Sequence, residues 1–414
     1  MTDNEKKSNP TSKIIVEKEP TIFDLIIIFL IGVVIINLYV QLFNLNTLPG
    51  IIKIFILLLT LYMVSLTIAK IFKTESHYGI VMVRSQRYIS IIDQLSTKYK
   101  KELIFFSDIA VAMAFGIFSY FMIKEKKKTK VALGIVLAMI INLLVMPFIF
   151  PLTAQLISAK EIKEYREQVS TQRSEPLVSL ILIGLTALFG YIASSFILLF
   201  LQTLIIINLF VQAFNNQIPA EKITPGAVPI IPGITIPLIE GIIALAIILI
   251  VHESFHGLIA RIHDIEIKST GLVFFGPIPI GAFVDPDEDK LFKLEEKLPI
   301  KRVVSSGPVS NLILSLVILI TLLIFNFSMF FLFAESNIKN LQIFKFGYQF
   351  IFNTLGLLVL LNFMIGLINM IPAPFFDGSH LVNHSIKNET LKKLIIYSSL
   401  TMFIIAILPL LFRI

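Results

Sequence analysis

His252, Glu253 and His256 occupy one turn of the segment GIIALAIILIVHESFHGLIAR, directly after the unbroken apolar run from Gly241 to Val251. On a helix, the spacing H-E-x-x-H puts both imidazoles on one face, one turn apart, with the carboxylate beside them. Two imidazoles and a carboxylate that is not itself a ligand suit hydrolysis at zinc. The metal polarises a carbonyl while the carboxylate takes a proton from water. Three such groups left unused in hydrocarbon would cost several kcal/mol. The place of the triplet therefore argues more strongly than the string alone.

A catalytic zinc needs a third protein ligand and an open fourth position. The chain has no cysteine, which excludes disulfides, thiolate metal sites and cysteine nucleophiles. The candidate donors near apolar segments are Asp377, His380, His384, Asp285, Asp287 and His263. Asp285 and Asp287 fall in an acidic, aqueous loop, and His263 lies on another turn of the same helix. Asp377 follows LINMIPAPFF, where Pro372 and Pro374 unwind a helix and Gly378 lets the chain turn, a local geometry that can swing a carboxylate inward. His380, three residues on, is the competing ligand.

The elements that must position these groups are membrane helices. With 414 residues, 56% hydrophobic and only 15% charged, the chain exceeds what a soluble core can hide. The reading is an all-α polytopic membrane protein of about nine transmembrane helices, since a span needs roughly 20 apolar residues. The windows are Ile22 to Phe43, Ile51 to Phe72, Leu103 to Ile123, Val131 to Ile157, Leu177 to Phe214, Glu240 to Ile262, Val303 to Phe333, Phe346 to Ile371 and Leu391 to Phe412. Residues 1–21 form a polar cytoplasmic tail, 22–176 about four N-terminal membrane helices, and 177–414 the core that carries the triplet. The Leu177 window exceeds one upright span, so it is tilted, protrudes, or breaks near Gly190 or Ser194.

The net charge of +7 comes from lysines and arginines that lie mostly in loops, where they orient spans. No nucleic-acid partner is expected. Basic loops at Lys73 to Lys101, Lys160 to Arg173 and Lys268 to Arg302 agree with a start inside the cell, which turns the last end of the His/Glu helix inward. KEKKKTK, 124–130, is the exception that this count leaves outside. The stretch Arg84 to Lys101, with Ile89, Ile92 and Leu95 at helical spacing, reads as an interfacial helix. TGLVFFGPIPIGAFV, 270–284, is apolar but too short and broken to span, and reads as a short membrane-embedded β-hairpin near the active site.

HESFHG, then SGPVSN at Ser306 to Asn311, then NMIPAPFFDG at Asn369 to Gly378, resemble the site-2 protease family of intramembrane zinc metalloproteases. Its members share H-E-x-x-H, G-x-x-x-N and N-x-x-P-x-P-x-x-D-G in that order. The likeness runs from about Leu177 to the C-terminus, and the proline-rich PGAVPIIPGITIPL and the PIPIGAFV hairpin are similar to those of archaeal members. It implies one zinc per chain on His252, His256 and Asp377, with Glu253 as general base. It also implies cleavage of a membrane-anchored protein substrate within or near its transmembrane segment, in regulated intramembrane proteolysis.

On that footing Asn311 is the candidate neutral donor to the scissile carbonyl oxygen, or a clamp on substrate backbone. Gly307 and Pro308 permit close helix approach. Gly281, Ala282 and Phe283, on the hairpin edge, are candidates for holding substrate extended by strand addition. The expected setting is the cell membrane, with the lipid bilayer as partner and the active site nearer the cytoplasmic face. Two other classes compete. A prenyl-protein type of metalloprotease would need a glutamate on a later helix, but Glu335 and Glu389 lie in loops. A transporter relaying protons or a cation through buried His, Glu and Asp gives no reason for i,i+4 histidines flanking a carboxylate. The sequence leaves the substrate and the oligomeric state open.

Overall fold

The structure, a computed structural model, describes residues 20–43, 50–74, 76–156, 175–219, 223, 225–335 and 342–412. Most of the polar tail and the basic segment 160–173 lie outside the described residues. Two compact units form, Met1–Ile91 with Glu266–Asp287, and Ile92–Ile265 with Glu288–Ile414.

The first unit packs α1 (Ile22–Phe43) and α2 (Gly50–Phe72) with a four-stranded antiparallel sheet of β1 (Ser76–His77), β2 (Ile80–Ser85), β3 (Ile267–Phe275) and β4 (Ile278–Pro286), in that spatial order. Alternation in IVMVRS turns Val81 and Val83 into a core with Ile28, Ile68, Ala69, Phe72 and Phe274. At the β3–β4 turn the Gly276 N–H donates to Ser65 Oγ at 2.6 Å, tying the hairpin to α2. The expected hairpin is thus half of a larger sheet. β2 pairs with β3 through registers such as Arg84↔Gly271, and β4 is the outer strand, with one edge unpaired among the described strands. Asp285 is not aqueous loop: it closes β4 and receives the Arg84 guanidinium at 3.1 Å.

The second unit is helical. Its elements are the part of α3 (Arg87–Lys98) from Ile92 onward, α4 (Lys100–Phe115), a 3-10 turn (Gly116–Phe121), α5 (Lys127–Leu156) and α6 (Glu175–Phe214). Then come α7 (Leu238–Ile262), α8 (Glu288–Phe292), α9 (Lys297–Glu335), α10 (Gln342–Asn369), α11 (Asp377–Asn383) and α12 (Glu389–Ile407). Across both units, eight helices among the described residues are long and apolar enough to cross a membrane. The interfacial helix expected over Arg84 to Lys101 splits into β2 and the shorter α3, which buries Ile92 and Ser96.

Two of the expected spans behave differently from their hydropathy. Before Lys100–Phe121, Asp93 pairs with Arg261 at the end of α7. After it, Lys124 pairs with Glu296 just ahead of α9, and Lys130 and Arg302 both hold the fully buried Asp108. The segment therefore begins and ends at the same end of the unit, where α7 stops and α9 starts. The 124–130 lysines sit with the other basic residues there, which corrects their expected placement on the opposite side. Its physical reason is the tight return at Gly116, whose φ of 56° suits glycine.

Helix α6 is broken at Gly190, with φ 76° and ψ 179°. Thr186 and Ser194 are eight residues apart, ~12 Å along a straight helix, yet their hydroxyls meet at 2.9 Å. The chain folds back at that glycine, and Leu182 and Leu198 line one small cavity together with Asn142 and Tyr191. Gly190 and Gly116 pack backbone against backbone, leaving no room for a Cβ on either.

Candidate metal centre

Helices α7 and α9 run antiparallel across the centre. His252 and His256 on α7 face Asn311 and Gly307 on α9, so two residues four apart on one helix meet two residues four apart on the other. A Cβ on Gly307 would overlap the His256 ring, so only glycine leaves the imidazole its place. Pro308 and Gly366 bring α9 and α10 together: a Cβ on Gly366 would lie 2.8 Å from the Pro308 carbonyl oxygen.

Beyond Asn369 the α10 helix stops, as its prolines demand. Pro372 and Pro374 cannot donate the next helical bonds, and Phe375, 94% exposed, takes a φ of 79°. Phe376 anchors the loop against Phe403 of α12, ring centroids 5.4 Å apart. Gly378 packs directly on the carbonyls of Met370 and Ile371, so the chain doubles back tightly. Asp377 thereby opens the short helix α11 and points at α7. Asn369 braces its own helix end, donating to the Ile365 carbonyl.

The three donors converge. Asp377 Oδ2 lies 3.2 Å from His252 Nε2 and 3.4 Å from His256 Nε2, and the two Nε2 atoms are 3.1 Å apart. Bonds of ~2.05 Å in a tetrahedron give ligand-to-ligand edges of roughly 3.3 Å, so the spacing fits one zinc ion with a fourth direction left for a reactant. Protonation chemistry agrees. His256 Nδ1 faces the Val303 carbonyl oxygen at 2.8 Å, and a carbonyl can only accept, so Nδ1 carries the hydrogen and Nε2 presents its lone pair. The side chains are 8%, 13% and 20% exposed for His252, His256 and Asp377. A cation there would sit away from bulk water.

The rival donors are engaged elsewhere. His380 and His384 stack on Phe292 with centroids 5.4 and 5.1 Å away, and Asp287 pairs with Lys268. His263 lies by the Asp108–Arg302 pair, where burial first and the guanidinium second push its imidazole down to about 4. Glu253 follows His252 on the same turn and is half-buried. Asn311 is fully buried, and its amide lies 3.1 Å from His252 Nδ1, against an imidazole rather than open toward a substrate. Sequence reasoning missed the Val303 carbonyl, since backbone acceptors leave no trace in residue type. It read Gly307 as a helix-packing residue, although that glycine also bears directly on the candidate ligand His256.

Gly281, Ala282 and Phe283 lie on β4, in the other compact unit. The Phe283 ring covers Gly271 of the neighbouring strand and lies 5.4 Å beneath the Arg84 guanidinium, so it packs on its own sheet.

Residues 240–408 match the family model described as Peptidase family M50. An uncharacterized protein of Methanocaldococcus jannaschii is 38% identical over 120 residues, which is 29% of this chain and 32% of that protein. The aligned part thus spans about a third of that relative's length. No solved structure matches the chain.

Proposed function

We propose, with the peptidase family M50 match over residues 240–408 as premise, that this chain is a membrane-embedded zinc metalloendopeptidase. It cleaves a peptide bond within or near the transmembrane segment of a membrane-anchored protein, the chemistry of regulated intramembrane proteolysis. The observation that carries this reading is the convergence of His252 Nε2, His256 Nε2 and Asp377 Oδ2 at tetrahedral spacing.

Those three side chains would hold one zinc per chain, which would supply Lewis acidity toward a carbonyl and lower the pKa of water to ~7. Glu253 takes the proton of the attacking water and hands it to the departing amine. Burial of the ligands holds back bulk water and strengthens each electrostatic contact. The substrate backbone must be extended before its carbonyl is accessible. The edge of β4 at Gly281 and Ala282 that is unpaired among the described strands offers main-chain groups for strand addition, with Phe283 stiffening that edge from within the sheet.

The setting that fits is the cell membrane. Eight long apolar helices among the described residues support a multi-pass arrangement. His256 stands six residues, ~9 Å, from the end of α7. The basic residues gathered at that end support an orientation with it toward the cytoplasm. Metal analysis of the purified protein tests the reading. About one zinc per chain is expected, lost in Asp377→Ala, whereas a metal-free wild type would contradict it.

A further inference from the structure

We propose that Asn311 is a positioning residue acting through His252: its side-chain oxygen accepts the His252 Nδ1 hydrogen and so fixes the tautomer that offers Nε2 to the metal. The inference rests on the zinc reading above.

Asn311 is fully buried and lies 3.1 Å from Nδ1 of His252, with its nitrogen placed on that side and its Oδ1 left without a partner among the described residues. Nitrogen and oxygen of an amide are distinguished only by the network they serve. With the nitrogen toward the ring, Nδ1 accepts, the imidazole hydrogen moves to Nε2, and a hydrogen then points at the spot where Asp377 and His256 present their lone pairs. A half-turn of the amide puts Oδ1 on Nδ1–H and clears Nε2. As placed, the amide oxygen facing away from His252 meets no hydrogen-bond partner among the described residues, so the present orientation is held by His252 alone and the choice falls to what His252 must do. His256 answers the same question through the Val303 carbonyl. Helix α9 thus supplies one acceptor to each imidazole, a backbone oxygen for His256 and a side-chain oxygen for His252. Metal-bound imidazoles generally hold their second nitrogen in this way.

Burial against the ring also argues against Asn311 as a donor to a substrate carbonyl. The two roles call for opposite ends of the amide, and this separates them by experiment. Asn311→Asp keeps an acceptor of the same shape and removes the donor; Asn311→Leu removes both. In the full-length protein in detergent, zinc affinity is measured by competition with a chromophoric chelator. Asn311→Leu is expected to bind roughly 10–100-fold more weakly than wild type, and Asn311→Asp within about threefold of wild type. Excess zinc should restore cleavage by the Leu variant, which a lost substrate contact would not allow.

Wild-type affinity in the Leu variant overturns the proposal while leaving the zinc reading intact. Loss in Asn311→Asp as large as in Asn311→Leu also overturns it, whether or not the Leu variant folds, because an acceptor alone then fails. A wild type that takes up no zinc ends both.

Discussion

The His256 imidazole occupies the space a side chain on Gly307 would need. The G-x-x-x-N motif therefore meets the H-x-x-x-H pair residue against residue: its glycine makes room for one histidine and its asparagine touches the other. Gly307→Ala should displace the ring or force the helices apart. Zinc content is expected to fall below half of one equivalent, with cleavage of a membrane-anchored reporter reduced by on the order of 100-fold. Full zinc and full cleavage in this variant would show that the ring tolerates a methyl group there.

Asp377 and His380 are three residues apart, and only Asp377 reaches the two histidines. Asp377→Ala should lose zinc. His380→Ala should keep about one equivalent, with zinc affinity within roughly threefold of wild type, since outer residues of a metal site seldom cost more than 10–100-fold. The reverse ranking would place the third ligand on the wrong side chain.

The absence of cysteine makes side-specific labelling direct. Lys124 and Lys293 carry exposed side chains at the end where α7 stops, while Gln217 lies on the loop before α7 begins. Single cysteines at Lys124 and Lys293 are expected to react with a membrane-impermeant reagent from one side, and a cysteine at Gln217 from the other. Joint labelling of Lys124→Cys and Gln217→Cys would mean that Lys100–Phe121 crosses after all.

His263 takes up its proton near 6.5 when unfolded but only near about 4 when folded, because burial and Arg302 oppose the charge. The unfolded chain binds more protons across that window, so the stability held above 6.5 drains away as pH falls toward 4. His263→Gln should flatten the acid limb of thermal stability measured in detergent between pH 7 and pH 4.5. Wild type and variant falling in parallel would remove His263 as a cause.

The convergence of the three proposed metal ligands is legible in the sequence because their chemistry is local. H-E-x-x-H needs one helical turn, and Asp377 needs only the proline-broken end of the preceding helix. The hairpin at 270–284 is legible for the same reason, but its sheet is not. β2 pairs with β3 across a gap such as Arg84 to Gly271, and Val81 and Val83 look like part of a basic linker until that partner is known. Hydropathy measures length and polarity but not direction. It therefore reads Lys100–Phe121 as a crossing, although its flanking charges meet at one end of the unit, and it cannot choose among a tilt, a protrusion and the turn found at Gly190. Asn311 was visible as a polar residue in an apolar helix, but its partner depends on the register of α7 against α9.

The central claim is that Glu253 performs proton transfer beside a zinc ion it does not bind. Zinc content and cleavage of a membrane-anchored reporter, measured on the same preparations of wild type and Glu253→Gln, test it most directly. Both proteins should carry about one zinc per chain, with cleavage by the variant reduced at least ~100-fold, as loss of a general base requires. Equal cleavage by the two, with zinc in both, would contradict the assignment.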